Sequence, residues 1–416
     1  LRSQENPMAL RKRTVVSLEQ ALSLPYATWR FAHLGWRVIR IEATPTGQAD
    51  PGDPNRYIGS PVAGYDRHSY FLAQNVGKES LVLNLKTARG RAVLHRLMDE
   101  LSVDVFCCNT LPGRYRDLGI DYDSLRSIRP ELIWAGISAM GPAYPAVPGY
   151  DPAIQAMVGF MELTGDPAGS PTLAGIPLID LKAGDECYTG VLEALVDREP
   201  GQGKRIDVSM LQAAASWLIT TLPLLNYPHQ PAEVSRSGNQ HRKFIPTDVF
   251  RTLDGYIYMA VGNDIQWRRL VEIEKFSCCA TPARYANAGR HAERAAMFED
   301  VRRVFARHPT EELAQDLTKA RIPWARVNDV YAAAALPAIR EKLTTSYAPD
   351  GRRLALQPLP VDRPEPPREL SFPPRYGEHT RSLLNEIGLG DAEVDDLAAD
   401  GTVYLAQSER ASVSAS

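Results

Sequence analysis

The sequence predicts a two-domain α/β protein whose larger part is a parallel β-sheet with helices on both faces. Three observations support this: the length, the alternation of apolar strand-like runs with helical segments in the first half, and a change of pattern after about Tyr150. At 416 residues the chain is longer than one ordinary hydrophobic core requires, so two domains are expected. Alternation of strands and helices is typical of parallel sheets covered on both sides.

The first half supplies most of the predicted sheet. A helix is predicted over residues 25–35, because proline suits the first turn of a helix and glycine often follows the last. The strand candidate at residues 80–85 leads into a second predicted helix, whose apolar face is formed by Val93, Leu94, Leu97, Met98 and Leu101 at helical spacing. The runs with strand composition are residues 36–42, 80–85, 103–109 and 132–138. Since parallel sheets bind ligands at the carboxyl ends of their strands, a site is expected in the loops after Glu42, Asn109 and Ser138.

The second half predicts more helices and a smaller domain. The predicted helices here are residues 154–165, 177–199 (a loop entering a longer helix) and 211–225, with a strand at 204–210. Asp254–Gly255 is the turn signal of a hairpin over residues 247–263, and helices follow to about residue 320. The proline-rich residues 357–375 are expected to be extended, with a last helix beginning near His379. The predicted organisation is a large domain (1–220), a linker (221–240), a small domain (241–330), and a return linker with the last part of the large domain (331–416).

Composition argues against several classes of function. The net charge of −3 gives no electrostatic reason to expect nucleic acid as a partner. No run approaches the ~18 apolar residues of a membrane helix, and the N-terminal residues lack a secretory signal. Five cysteines without a C-x-x-C spacing predict neither disulfides nor zinc. Signatures of nucleotide and metal sites are missing from the sequence. We therefore expect a cytoplasmic protein with no metal and no permanently bound cofactor.

Asp180 is the candidate for covalent chemistry. In the segment GIPLIDLKAG it follows an apolar run and precedes a predicted helix. An aspartate in that position is commonly a helix N-cap. The two interpretations are compatible, because a carboxylate at a helix start is held in place and lies at the strand ends.

The layout of nearly the whole chain resembles the family III CoA transferases of the CaiB/BaiF type. About ten similar segments occur in the same order as in the family, which makes a chance resemblance very unlikely. They include PYATWRFAHLGWRVIRIE, GDPNRYIGSP, NVGKESLVLNLK, PGRYRDLGIDYDSL, GYDPAIQAMVGFMELTG, GIPLIDLKAGDECYTGVLEAL and RIPWARVNDV.

The resemblance implies a fold, an assembly and an activity. The fold is a doubly wound parallel α/β large domain with a smaller α/β domain, in an interlocked dimer. The activity is transfer of CoA from an acyl-CoA donor to a free carboxylic acid, with CoA thioesters as substrates. A homodimer is expected, and a heterodimer stays open. The donor and acceptor acids are not written in any residue, and succinyl-CoA is a first donor to try.

Carried over to this chain, the resemblance assigns Asp180 as the residue that carries the acyl group and then CoA. The expected CoA contacts are Arg40, Asn75, Lys78, Asn109, Arg114 and Lys182. The chain departs from the family pattern at Leu24, where many members have glycine, and at Val76 and Leu111, where a basic residue is common. These departures predict that the phosphates and adenosine of CoA are held differently here.

Three alternatives stay open on the sequence. The first is an α-methylacyl-CoA racemase or epimerase of the same fold, which would need an imidazole where this chain has Tyr150; phenols are poor bases at neutral pH. The second is a non-catalytic partner subunit of a heteromeric transferase, which the weakened CoA segments favour and Asp180 opposes. The third is a CoA-binding protein without turnover. His241 and His379 are expected to be structural.

Overall fold

The computed structural model describes residues 12–47, 49–362 and 368–406. The chain forms two compact units, each made of separate stretches of sequence. The first unit consists of the described residues of Leu1–Val158, Gly175–Ile219 and Lys342–Ser416. The second unit consists of Gly159–Ala174 and Thr220–Glu341. Within the described residues no helix has both the length and the apolar character needed to cross a membrane.

A six-stranded parallel sheet forms the centre of the first unit. Its strand order is β3-β2-β1-β4-β5-β6, so the order reverses between β1 and β4 as in doubly wound sheets. The strands are β1 (Thr14–Leu18), β2 (Arg37–Glu42), β3 (Lys78–Val82), β4 (Val105–Cys108), β5 (Ile133–Ser138) and β6 (Lys204–Ser209). Every residue of β4 is buried, which requires that both faces of the sheet are covered there. The predicted parallel α/β fold is thus confirmed.

Helices cover the sheet, and the helices predicted over residues 25–35 and 177–199 are present within two residues of the predicted bounds. Those of the first unit are α1 (Ser23–His33), α2 (Ser69–Leu72), α3 (Ala88–Glu100), α4 (Tyr122–Arg126), α5 (Asp151–Met157), α7 (Leu178–Asp197), α8 (Met210–Ser216), α15 (Thr380–Glu386) and α16 (Asp391–Ala399). In α3 the predicted apolar face is buried in a core that includes Leu384 of α15 and Leu397 of α16. Gly35, with φ of 80°, ends the first predicted helix as expected.

The second unit contains an antiparallel sheet and its own core. The predicted hairpin is confirmed as β7 (Thr247–Arg251) and β8 (Tyr256–Ala260), and β9 (Trp324–Arg326) pairs with β8. Its helices are α6 (Phe160–Leu163), α9 (Asp264–Glu272), α10 (Asn287–Ala292), α11 (Arg294–Phe305), α12 (Thr310–Lys319), α13 (Val330–Ala335) and α14 (Pro337–Arg340). The core includes the stacked rings of Phe250 and Phe305, whose centroids are 4.6 Å apart.

Several elements differ from the sequence-based prediction. The helix predicted over 154–165 is interrupted at Gly159, whose φ of 86° lies outside helical geometry. The helix predicted over 211–225 ends at Ser216. The elements that were not predicted include the central strand β1 and the hairpin of β10 (Leu343–Tyr347) and β11 (Arg353–Pro358), together with β9, α2, α13, α14 and α16. Part of the proline-rich segment, residues 363–367, lies outside the described residues.

A cluster of buried charges ties together the end of β1, strand β2 and the start of β3. Arg40 of β2 lies between the carboxylates of Asp53, at 3.0 Å, and Glu42, at 3.4 Å. Lys78 of β3 donates to Glu19 at 2.7 Å. Arg56 completes the cluster with a 2.6 Å hydrogen bond to Glu42, so three cations face three carboxylates. All six side chains are at most 1% exposed, where an unpaired charge would be costly.

Three groups of this cluster have shifted pKa values. Burial by itself would lower the pKa of Arg40, but the nearby carboxylates of Glu42 and Asp53 raise it above its usual range. Burial by itself would raise the pKa of Glu42, but the adjacent Arg40 and Arg56 lower it to about 2. Burial also disfavours the charged form of Lys78 and lowers its pKa to about 8, against the opposing effect of Glu19. The carboxylate of Glu42 is therefore held in its ionised form, and it depends on Arg40 and Arg56 for this.

We predict that Arg40→Met lowers the free energy of unfolding by about 3–5 kcal/mol, because Asp53 and Glu42 keep their burial and lose a shared cation. The measurement is urea-induced unfolding. The matched control is Arg381→Met, which removes an arginine that pairs with Asp391 and Asp395 on the surface and should cost ~0–1 kcal/mol. Equal losses in the two variants would contradict the assigned role of the buried cluster.

Candidate active site

A cavity of about 870 Å³ opens at the carboxyl edge of the six-stranded sheet. The residue immediately after each of the six strands lines it: Glu19, Ala43, Leu83, Asn109, Ala139 and Met210. The cavity therefore crosses the point where the strand order reverses, which is where open α/β sheets bind ligands. This is the region in which the loops after Glu42, Asn109 and Ser138 predict a site.

Helix α7 carries Asp180 to this cavity. A helix that connects two parallel strands begins at the carboxyl edge of the sheet, and Asp180 is the third residue of α7. Four residues later, Gly184 lets α7 lie directly against α1: a Cβ there would come within 2.6 Å of the carbonyl oxygen of Ser23. This close packing brings the Asp180 carboxyl group into the cavity lining, near the loop between β1 and α1.

Asp151, at the start of α5, caps α7 from another part of the chain. Its Oδ2 accepts hydrogen bonds from the backbone N–H groups of Ile179 (2.6 Å) and Asp180 (3.1 Å). Its Oδ1 accepts from the side-chain amide of Gln155 at 2.5 Å. The N-cap position itself is Pro177, which makes no side-chain bond. Asp180 is therefore not the cap that its sequence context suggests, and its own carboxylate is available for other contacts.

The environment makes Asp180 hard to ionise. Burial and then the nearby charge of Asp151 raise the pKa of Asp180 to about 7. Within the described residues no group donates a hydrogen bond to its carboxylate, so nothing offsets these effects except the dipole of α7. Because groups with strongly shifted pKa values cluster at functional sites, Asp180 is a candidate catalytic residue.

Three of the expected CoA contacts lie in the buried charge cluster. Arg40, Asn75 and Lys78 are each at most 1% exposed. Asn75 accepts hydrogen bonds from both cations and donates to the carbonyl of Phe71 at 2.7 Å. None of the three is among the described residues that line the cavity. Their geometry favours a supporting role beneath the cavity over direct contact with a ligand.

Of the other three expected contacts, Asn109, Arg114 and Lys182, only the first two line the cavity. Asn109 and Arg114 line the cavity, and Arg114 is exposed, with no ion pair to any residue that the structure describes. Lys182 is on α7 but outside the described lining. It pairs with Glu186, and its Nζ lies 5.5 Å from the centre of the Trp217 ring. The structure thus brings Asp180, Asn109 and Arg114 to one cavity and separates Lys182 from it.

Lys86 is a cavity residue that the sequence analysis missed. It lies four residues after β3, is exposed, and forms no ion pair with the described part of the chain. Arg91 links its loop to the loop after Arg114 by donating to the backbone carbonyls of Leu85 (3.2 Å), Lys86 (3.3 Å) and Asp117 (3.4 Å). The sequence feature that could have identified Lys86 is its position just after a predicted strand, at the edge where parallel sheets bind ligands.

The cavity offers no obvious imidazole. Tyr150 lines it and is 74% exposed, but no histidine occurs in the described lining. His379 accepts from the backbone N–H of Ser80 at 3.2 Å, and His241 accepts from the N–H groups of Lys243 and Phe244. Both histidines make the structural hydrogen bonds that the sequence predicts.

Known proteins resemble the chain over most of its length. Residues 10–380 match the family described as CoA-transferase family III. A succinate–glutarate CoA-transferase of Agrobacterium fabrum is 31% identical over 90% of this chain and 94% of its own length. An acetyl-CoA:oxalate CoA-transferase of Acetobacter aceti is 33% identical over 91% and 96%, respectively.

A solved structure resembles the fold as well. The crystal structure of a CAIB/BAIF family protein from Brucella suis matches 90% of this chain and 98% of its own chain with a TM-score of 0.79, at 28% sequence identity. Together with the cavity at the sheet edge, these similarities confirm the expected activity. The chain belongs to CoA-transferase family III and is a CoA transferase.

Proposed function

We propose that this enzyme transfers CoA from an acyl-CoA donor to a free carboxylic acid through covalent intermediates on Asp180. The observation that carries the proposal is the position of that side chain: an unpaired carboxylate in the cavity, in the first turn of α7, with a pKa of about 7. Family resemblance assigns the same residue. Covalent catalysis by a carboxylate needs no metal or redox group.

The chemistry proceeds in four balanced steps. An oxygen of Asp180 attacks the donor thioester carbonyl, the carbon–sulfur bond breaks, and a mixed anhydride and CoA thiolate form. The thiolate attacks the aspartyl carbonyl and releases the donor acid, which leaves an aspartyl–CoA thioester. The acceptor carboxylate attacks that thioester and expels CoA thiolate, which leaves a second mixed anhydride between Asp180 and the acceptor. The thiolate finally attacks the acceptor acyl carbonyl of this anhydride, which forms the new acyl-CoA and frees Asp180. The protein has to position these groups and exclude water, which would hydrolyse the intermediates.

The cavity suggests how a CoA thioester lies. Asp180 marks the end where the sulfur must be, and its backbone N–H is bound by Asp151, in the segment that follows β5. Lys86 follows β3, and the ends of β5 and β3 are four strand spacings apart, about 19 Å. We infer that the pantetheine arm spans the sheet edge and that Lys86 and Arg114 receive phosphates of the nucleotide.

The identities of the donor and acceptor acids can be tested directly. Succinyl-CoA is the first donor to assay, since relatives with succinate or succinyl-CoA in their names match most of the chain. All five cysteines are unpaired thiols, as expected of a protein in a reducing compartment, and we propose a cytoplasmic location.

We further propose that the two compact units are the large and small domains of an interlocked homodimer. Each unit has large apolar side chains on its surface, which is typical of regions that a partner covers. In the first unit they include Trp217 and Ile219, and in the second Tyr227, Val330 and Tyr331, the last 88% exposed. A partner of the same sequence would bury such residues.

Replacement of Asp180 by asparagine is expected to lower CoA transfer by roughly 10³-fold or more, because the amide cannot form an acyl intermediate. The assay is acyl-CoA formation followed by mass spectrometry. Wild-type enzyme incubated with acyl-CoA and quenched with hydroxylamine should carry the modification at Asp180. Asp197→Asn, on the exposed last turn of the same helix, is the control and should keep full activity. Full activity in Asp180→Asn would refute the assignment.

Activity is expected to rise with pH through about 7, because Asp180 attacks only when ionised and its pKa is raised to about that value. Asp151→Asn removes the like charge while its amide oxygen can still accept from the helix N–H groups, so the rising limb of kcat/KM should move to lower pH. Asp121→Asn, which changes a comparable cap at α4, should leave the limb in place. A limb unmoved by Asp151→Asn would exclude this electrostatic coupling.

For the assembly, we expect one dimeric species by mass photometry at nanomolar concentration, because interlocked chains separate only if part of the chain unfolds. Untagged protein mixed with a larger tagged version should not exchange subunits under native conditions. Observation of monomers, or of rapid exchange, would contradict interlocking.

A further inference from the structure

The loop between β1 and α1 contains a strained backbone conformation at the cavity. Ala21 has a φ of 60°, in the left-handed region that favours glycine, since a Cβ is strained there. Both Gln20 and Ala21 line the cavity. Strained residues persist only where their surroundings hold them, and they concentrate at ligand sites. The groups that hold this loop are therefore of functional interest.

Three side chains bind all four backbone polar groups of Gln20 and Ala21. On one side, Asn109 Oδ1 accepts from the Gln20 N–H at 3.1 Å, and Asn109 Nδ2 donates to the Gln20 carbonyl at 2.8 Å. On the other side, Asp53 Oδ1 accepts from the Ala21 N–H at 3.2 Å, and Asn55 Nδ2 donates to the Ala21 carbonyl at 2.9 Å. We name Asn109, Asp53 and Asn55 the loop clamp.

The loop clamp is connected to the buried charges. The second carboxylate oxygen of Asp53 accepts a hydrogen bond from Arg40 at 3.0 Å, and the backbone N–H of Asp53 donates one to Glu42 at 3.0 Å. Asp53 therefore cannot turn away from Ala21 without leaving a buried arginine short of a partner. Arg40 is thus linked to the cavity wall by its bond to Asp53, although the Arg40 side chain itself is fully buried.

We propose that the loop clamp residues are positioning residues, which keep the Gln20–Ala21 loop in the shape that receives a CoA thioester. Asn109 and Arg40, which family resemblance assigns as CoA contacts, act on the ligand through this loop. In Asn109 the amide oxygen and one amide hydrogen are already committed to Gln20. This inference rests on the proposed function, because the ligand is taken to be CoA.

Asn55 provides the first test, because its side chain holds Ala21 and lies outside the described cavity lining. The dissociation constant of coenzyme A is measured by calorimetry on the full chain. We expect Asn55→Ala and Asn109→Ala each to raise Kd about tenfold, the effect of losing hydrogen bonds that hold one conformation. Asn385→Ala, which removes an asparagine bonded to Asp391 on the surface, is the control and should not change Kd.

A double-mutant cycle with Ala21→Gly separates positioning from contact. Glycine adopts positive φ without a Cβ penalty, so the loop needs the clamp less. In the Ala21→Gly background, Asn109→Ala should therefore raise Kd only about twofold, well below its effect alone, because coupled sites are not additive. KM for the donor thioester should follow Kd. Melting temperatures identify any variant whose fold is damaged.

The outcomes distinguish the two proposals. An unchanged Kd in Asn55→Ala, or an equal effect of Asn109→Ala in both backgrounds, would overturn the positioning role while the CoA site stands. A wild-type protein that binds no coenzyme A would overturn the proposed ligand and cavity assignment itself.

Discussion

The mutual neutralisation of six buried charges is the constraint on which the cavity at the edge of the six-stranded sheet depends. A single uncompensated charge at such depth costs several kcal/mol, so Arg40, Lys78 and Arg56 must each keep their carboxylate partners. These partners, Glu19, Glu42 and Asp53, belong to the ends of β1 and β2 and to the loop that follows β2, whereas Lys78 is the first residue of β3. Their requirement for one another therefore fixes the relative positions of those chain segments before any ligand arrives.

Much of the fold follows from local sequence pattern, and the exceptions have physical reasons. Apolar runs and helical periodicity were sufficient for β2 to β6, for α3 and for the β7–β8 hairpin. Strand β1 was not predicted because it has only five residues, TVVSL, directly after the three basic residues at positions 11–13, and its identity comes from burial between β2 and β4. The break at Gly159 depends on a backbone conformation that a helical pattern does not reveal.

The site was predictable in its chemistry and less so in its geometry. Residue type and family resemblance suggested Asp180, and the structure adds why its carboxylate is unusual, through burial and Asp151. Burial also separates cations of equal charge: Arg40 and Lys78 are enclosed, whereas Lys86 and Arg114 face the cavity. A sequence lists these four residues alike, because exposure arises only when strands distant in the chain become neighbours.

The first unit is assembled from three stretches of chain, and this has a consequence for biosynthesis. All six strands have been synthesised once Ser209 has been added, but residues 398–404, which supply a cavity wall, follow almost two hundred residues later. The same late stretch brings Leu384 and Leu397 to the core beside α3. A nascent chain can therefore form the sheet while its cavity is still incomplete, and the cavity wall is completed only after residues 398–404 have been made.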